Sequence, residues 1–242
     1  MLALLRKEII SFFSSAVGYI VITIFLVLNG LLLWIIPGDY NVLNSGYASV
    51  AGLFMLAPWL YLFLIPAITM RTFAEEKKNG TIEILLTRPL SIPQVVSAKY
   101  LASLVLVLLS LLPTIVYYFT VYALGNPMGN IDSGSFWGAY IGLFLLASVY
   151  VSIGVFASSV SDNQVISFIV SALLCFALYY GFDVIAMLSS SASTQSIITA
   201  FGINSHYESM SRGVIDTRDL IYFFSVIAVF IYTTILILSR KK

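Results

Sequence analysis

Side chains able to do chemistry are scarce in this sequence, and they cluster. Residues 71–89, RTFAEEKKNGTIEILLTRP, hold seven of the 23 Asp, Glu, Lys and Arg residues in a chain of 242. Residues 9–70 contain one such residue, Asp39, and residues 100–161 contain one, Asp132. A charged block between two long apolar tracts has to sit in water while the tracts sit elsewhere, so its chemistry is that of contact with a partner. Outside the block the reactive inventory is thin. The single histidine, His206, falls in a polar segment and reads as a solvated or locally capped side chain. The single cysteine, Cys175, lies in an apolar run, excludes an intrachain disulfide and reads as a small apolar residue. No Cys/His cluster or H-E-x-x-H offers a zinc site. No G-x-x-x-x-G-K-[ST] loop is present to bind ATP. An intramembrane serine protease would need a base near its serine, and none is available. We expect no catalysis, no metal and no cofactor in this chain.

The elements that position the block follow from composition. The chain is 60% hydrophobic and 10% charged, with mean hydropathy +1.00, whereas a soluble domain carries about 25% charged residues. Continuous apolar runs of about 20 residues match the length needed to cross a bilayer as a helix, and they lack the alternation of a membrane barrel. The expected fold is all-α: a single polytopic membrane domain of six transmembrane helices, at about residues 16–36, 50–70, 93–122, 136–158, 164–187 and 219–239. Residues 1–15 read as an interfacial helix with Leu2, Leu5, Ile9, Phe12 and Phe13 on one face, not as a cleaved signal peptide, because the following run is long and no small-x-small site follows.

Local signals refine this outline. Trp34, Pro37 and Gly38 close the first span. Pro58 and Pro66 are expected to kink the second and Pro113 to bend the third. Ser91 with Gln94 forms a capping-box pattern with Pro93 in the first turn, and Lys99 is expected to snorkel to the interface. Spans four and five form a tight hairpin. Gly138 and Gly142 permit close helix approach. Asn29 is expected to bond a neighbouring helix, and Asp183 to lie at the interface. Residues 188–218 form the longest external segment, with short helices, a capping-box spacing at Ser205 and Glu208, and a stop at Gly213. Residues 216–219 cap the start of span six.

Six spans put the N-terminus, the charged block, the 159–163 turn and the C-terminus on one side. That side carries ten of the 12 basic residues, only Arg212 and Arg218 lying opposite, so the positive-inside bias makes it cytoplasmic. Within the block, Thr72 and Glu75 have capping-box spacing for a short helix through Lys78. Asn79-Gly80 stops it. Thr81 caps a second short helix whose Ile82, Leu85 and Leu86 share a face, ending by Arg88 because Pro89 disfavours helix before it. A cytoplasmic helix–turn–helix with apolar knobs argues for a docking element against a cytosolic protein, the other reading being a solvated loop that touches lipid headgroups.

Residues 75–89, EEKKNGTIEILLTRP, resemble the E-E-x-x-x-G-T-x-E-x-L-L-x-x-P signature of the ABC-2 type permeases, the membrane halves of type II exporter-like ATP-binding-cassette systems. The six-span layout extends the resemblance over the chain, and residues 206–223 are most similar to the permeases of gliding-motility ABC transporters. The resemblance implies a half-transporter of a bacterial cytoplasmic (inner) membrane with both termini cytoplasmic. Its partners would be a separate cytosolic ABC ATPase carrying ATP and Mg²⁺, a second permease or companion membrane subunit, and lipid, with no nucleic acid. Carried onto this sequence, the ATPase-coupling residues are Glu75, Glu76, Gly80, Thr81, Glu83, Leu85, Leu86, Thr87 and Pro89. Two other readings stay open here: a non-transporting scaffold that recruits a cytosolic ATPase, and a secondary carrier, which the near absence of ionisable residues in the spans disfavours.

Overall fold

A computed structural model describes residues 1–83, 90–189 and 191–240, and among them every regular element is helical. Helix α1 (Leu2–Phe13) precedes α2 (Ala16–Ile35), whose last turn, Leu31–Ile35, widens to a π-helix. Then follow α3 (Ala51–Thr69), the short α4 (Ala74–Lys78), α5 (Ile92–Leu124) and α6 (Ser133–Val160). The chain continues through α7 (Gln164–Met187), α8 (Ala192–Thr199), α9 (Ile203–Ser211) and α10 (Thr217–Ser239). Helices α2, α3, α5, α6, α7 and α10 are long and apolar enough to cross a membrane. The protein is a multi-pass, all-helical membrane protein.

Helix α6 is the axis of the bundle. It packs against α3, α5, α7, α9 and α10, and 83% of its most apolar window is buried, against 22% in α2 and α7 and 11% in α10. Small residues make this possible, since they let neighbouring backbones approach. A Cβ at Gly154 would strike Thr69 of α3, one at Gly142 would lie 2.5 Å from Met210 Cβ of α9, and one at Gly138 would strike the backbone of Gly213. The Gly138/Gly142 pair thus receives Met210 and Gly213, from the segment between α7 and α10, not another span.

The helix starts are chemically specified. Asp132, Asn163 and Asp216 accept from the N–H groups of Ser135, Val165 and Arg218 at 3.0, 2.8 and 2.9 Å. Ser91 and Gln94 form the expected capping box of α5. The prolines behave unequally. Pro113 sits in a 3₁₀ break, Leu112–Thr114, within α5, whereas α3 stays helical through Pro58 and Pro66. Pro58 leaves the Phe54 carbonyl without its helical donor, and the Tyr207 hydroxyl of α9 donates to that oxygen at 2.7 Å. Burial holds the Tyr207 phenol well above its usual pKa.

Leu4 is the buried residue of α1, and Leu2 is exposed. Two local expectations are corrected. Asn29 turns its amide onto the Phe25 carbonyl of its own helix at 2.8 Å, leaving Oδ1 buried without a partner, because Phe25 stacks on Tyr61 and fills the space towards α3. Ser205 is interior to α9, which starts after Gly202, and it donates to the Thr199 and Gly202 carbonyls instead of pairing with Glu208.

Candidate coupling element and the ion-pair ring behind it

After Thr69 the chain turns through Met70–Phe73 into α4. Thr72 does not cap this helix. Its hydroxyl turns back onto the Thr69 carbonyl, and the orphan N–H groups of Phe73 and Ala74 donate to Ser158 Oγ of α6 at 2.9 and 3.1 Å. Ser158 in turn donates to the Met70 carbonyl at 3.0 Å. A hydroxyl more than eighty positions away is the acceptor that a helix N-terminus requires. At the other end, Asn79 stays right-handed and Gly80 takes φ +67°, the left-handed conformation that closes a helix.

Behind α4 lies a closed ring of four charges. Glu76 Oε1 is 3.1 Å from Lys7 Nζ, and Glu76 Oε2 is 3.0 Å from Lys99 Nζ. Glu8 Oε1 lies 3.1 Å from Lys7 and 3.0 Å from Lys99. Lys99 also donates to the Thr72 carbonyl at 2.6 Å and sits 5.1 Å from the centre of the Phe73 ring. Its side chain is 1% exposed. The expected snorkelling lysine is therefore corrected: two carboxylates on other elements satisfy Lys99 inside the protein, so it need not reach for water. Burial works against the charged form of Lys7, but Glu8 and Glu76 outweigh it and raise its pKa above the usual lysine value.

Lys77 faces the opposite way. It donates to the Ser159 carbonyl and lies 3.5 Å from Asp162, in the turn between α6 and α7. Five residues of helix thus fasten to α1, α5, α6 and the α6–α7 turn, which places all of these at one end of the bundle.

The predicted coupling residues fall into three groups. Gly80, Thr81 and Glu83 are exposed with Lys78 and Asn79 at the tip, and Thr81 Oγ1 reaches the Glu76 carbonyl at 3.3 Å. Glu76 is turned inward, and Glu75 is half-buried against a cavity behind α1. Leu85, Leu86, Thr87 and Pro89 lie outside the described residues, and so does the greater part of the stretch expected to form the second short helix. Ile82 packs on the core and is not a free apolar knob. Glu8, Lys99, Ser158 and Asp162 were missed by sequence reasoning. The signal available for Lys99 was its place within an apolar helix with no local acid, which requires a distant one.

At the opposite end, His206 is neither solvated nor locally capped. Nδ1 lies 2.7 Å from Asp219 Oδ1, Nε2 lies 3.0 Å from the Ala200 carbonyl, and the ring stacks on Tyr222 at 4.0 Å. Asp219 also accepts from Ser209 at 2.5 Å. Asp183, near the end of α7, accepts from Asn204 of α9 at 2.8 Å. These contacts fasten α7, α9, α10 and the end of α8 together, and residues 206–222 read as packing chemistry.

Residues 43–239 match the family model described as ABC-2 family transporter protein. No curated protein matches the chain. With six apolar helices and a family match over most of its length, the chain belongs to the ABC-2 family of transporter proteins and is a membrane permease subunit of an ABC transporter.

Proposed function

We propose that residues 71–90 receive the motion of a separate ABC ATPase and pass it to the spans. The carrying observation is the fastening of α4: Glu76 reaches α1 and α5 through Lys7 and Lys99, and Lys77 reaches the α6–α7 turn. A force applied at the exposed tip, residues 78–81 and Glu83, moves a helix fastened to the end of α6, the most buried of the spans. ATP and Mg²⁺ belong to the ATPase. In this reading the α4 end is cytoplasmic, both termini lie there, the membrane is the bacterial inner membrane, and a second permease copy or companion subunit completes the transporter. Export is the direction implied by the type II exporter-like signature. The resemblance of residues 206–223 is the only support for a place among the gliding-motility systems.

The test is reconstitution with the cognate phosphate-loop ATPase. Glu83→Lys is expected to weaken co-purification and to abolish substrate-stimulated ATP hydrolysis in vesicles. An unaltered complex with unaltered stimulation removes the docking role, and ATPase binding without any stimulated hydrolysis in wild type favours the scaffold.

A further inference from the structure

A cavity of about 720 Å³ lies between α1 and the adjoining ends of α3 and α5, within the range of pockets that hold small ligands. Ring charges line part of it, and these are matched among themselves: Lys7 and Lys99 against Glu8 and Glu76. Two further charges line it and are not matched. Arg71 donates from Nη1 to Ser15 Oγ at 3.0 Å, while its Nε is buried with no acceptor. Among the described residues neither Arg71 nor Glu75 forms an ion pair. A guanidinium that lines a cavity with no anionic partner among the described residues is a natural seat for an anionic ligand, whose oxygens would supply the acceptors it lacks.

The surroundings state what kind of ligand. Leu4, Phe12, Ile68 and Leu106 give the cavity apolar walls next to its charged part. Helix α1 exposes Leu2 and Ile10 on its outside alongside exposed Arg6 and Lys7, the pattern of a helix lying at headgroup depth. The guanidinium fork suits a phosphate, and Glu75 suits a cation attached to it. We propose that this cavity seats the headgroup of an ethanolamine phospholipid, with its phosphate on Arg71, its ammonium on Glu75 and its acyl chains along the apolar wall. The site shares Arg71 and Glu75 with the proposed coupling element but does not rest on that reading, since ATPase docking can fail while lipid binding holds.

The test is native mass spectrometry of the full-length, delipidated protein in detergent. It is titrated with phosphatidylethanolamine, phosphatidylglycerol and water-soluble glycerophosphoethanolamine. Wild type is expected to retain phosphatidylethanolamine over phosphatidylglycerol, and not to hold the soluble headgroup at the same concentration. Arg71→Gln is expected to weaken both lipids by about tenfold or more, the loss of a charge-assisted hydrogen bond. Glu75→Gln is expected to weaken phosphatidylethanolamine alone, with retained phosphatidylglycerol showing that this variant is folded. Equal retention of the two lipids by wild type, or unchanged selectivity in Glu75→Gln, overturns the proposal. Soluble headgroup binding as tight as the lipid overturns the lipid as its source.

Discussion

Replacing Lys99 by Met tests whether the ring holds α4 in place. The substitution keeps an unbranched apolar side chain in the site and removes a charge that is 1% exposed. What remains are two carboxylates, 17% exposed in Glu8 and 14% in Glu76, and a Thr72 carbonyl without its donor. Breaking a buried pair by removing one partner costs about 3–5 kcal/mol. Lys7 still lies 3.1 Å from both acids, and neither acid is fully dry, so we expect about 2–3 kcal/mol, below that range. The control Lys7→Met, at a site 57% exposed, is expected to cost less than about 1 kcal/mol. Adding Glu8→Gln and Glu76→Gln to Lys99→Met removes the stranded charges and is expected to recover most of the loss, a coupling of about 1–3 kcal/mol. The assay is reversible unfolding in mixed micelles, read by tryptophan fluorescence. A Lys99→Met loss below about 0.5 kcal/mol, or losses that simply add, refutes the ring as a unit.

Other perturbations probe separate links. Ser158→Ala removes the remote cap of α4 and is expected to cost about 1 kcal/mol, with faster amide exchange at Phe73 and Ala74; unchanged exchange there counts against the cap. Tyr207→Phe leaves the Phe54 carbonyl beside Pro58 unpaired, an expected loss of about 1–3 kcal/mol, and a neutral result in the unfolding assay would place another donor at that oxygen. Gly142→Val drives branched carbons into Met210 and is expected to cost about 1–3 kcal/mol by overpacking, detaching α9 in a limited-proteolysis assay. Asp216, held below its usual pKa first by the Arg218 N–H, gains its capping strength when ionised. That contribution is therefore present above the unfolded value of about 3.9 and lost as pH falls through the lower folded value. Hydrogen exchange at the first turn of α10 should accelerate in acid more in wild type than in Asp216→Asn, and equal acid sensitivity would deny the cap.

Span number, span order and most helix starts were legible because each rests on information within a few residues: a run of apolar side chains, or a capping side chain two or three positions from its N–H. The α5 capping box and the Gly80 stop are of this kind. The contacts of the candidate site were not legible, because their partners are distant. Lys99 and Glu8 are 91 positions apart and Lys77 and Ser159 are 82, so no local pattern joins them. The Thr72 cap failed for the same reason. A nearby hydroxyl has the right spacing, but Ser158 of the packed neighbour holds the position, and the threonine turns back onto its own helix. His206 was misjudged because Asp219, counted as a helix start, is its acceptor across the α9–α10 junction.

Under the proposed coupling role, the ring supplies what a short helix needs to transmit force. Five helical residues have almost no stability alone, since nucleation costs more than so few hydrogen bonds return. Helix α4 is ordered because four different side chains from outside hold it: Ser158 at its N-terminus, Lys7 and Lys99 on Glu76, and Asp162 on Lys77. Its geometry is therefore a readout of where α1, α5, α6 and the α6–α7 turn stand, and displacement of the tip must shift or break those same contacts. Breaking Glu76 from Lys99 opens one side of the ring and leaves Lys99 on Glu8 and Glu76 on Lys7. It therefore costs less than the roughly 2–3 kcal/mol worked out for removing Lys99, a loss of about 1–2 kcal/mol that is still the scale of a coupling free energy between sites. On this argument Glu76→Gln should leave the ATPase bound at the exposed tip yet uncouple it, with co-purification unchanged and stimulated hydrolysis reduced. Equal losses of binding and stimulation would instead make Glu76 part of the docking surface.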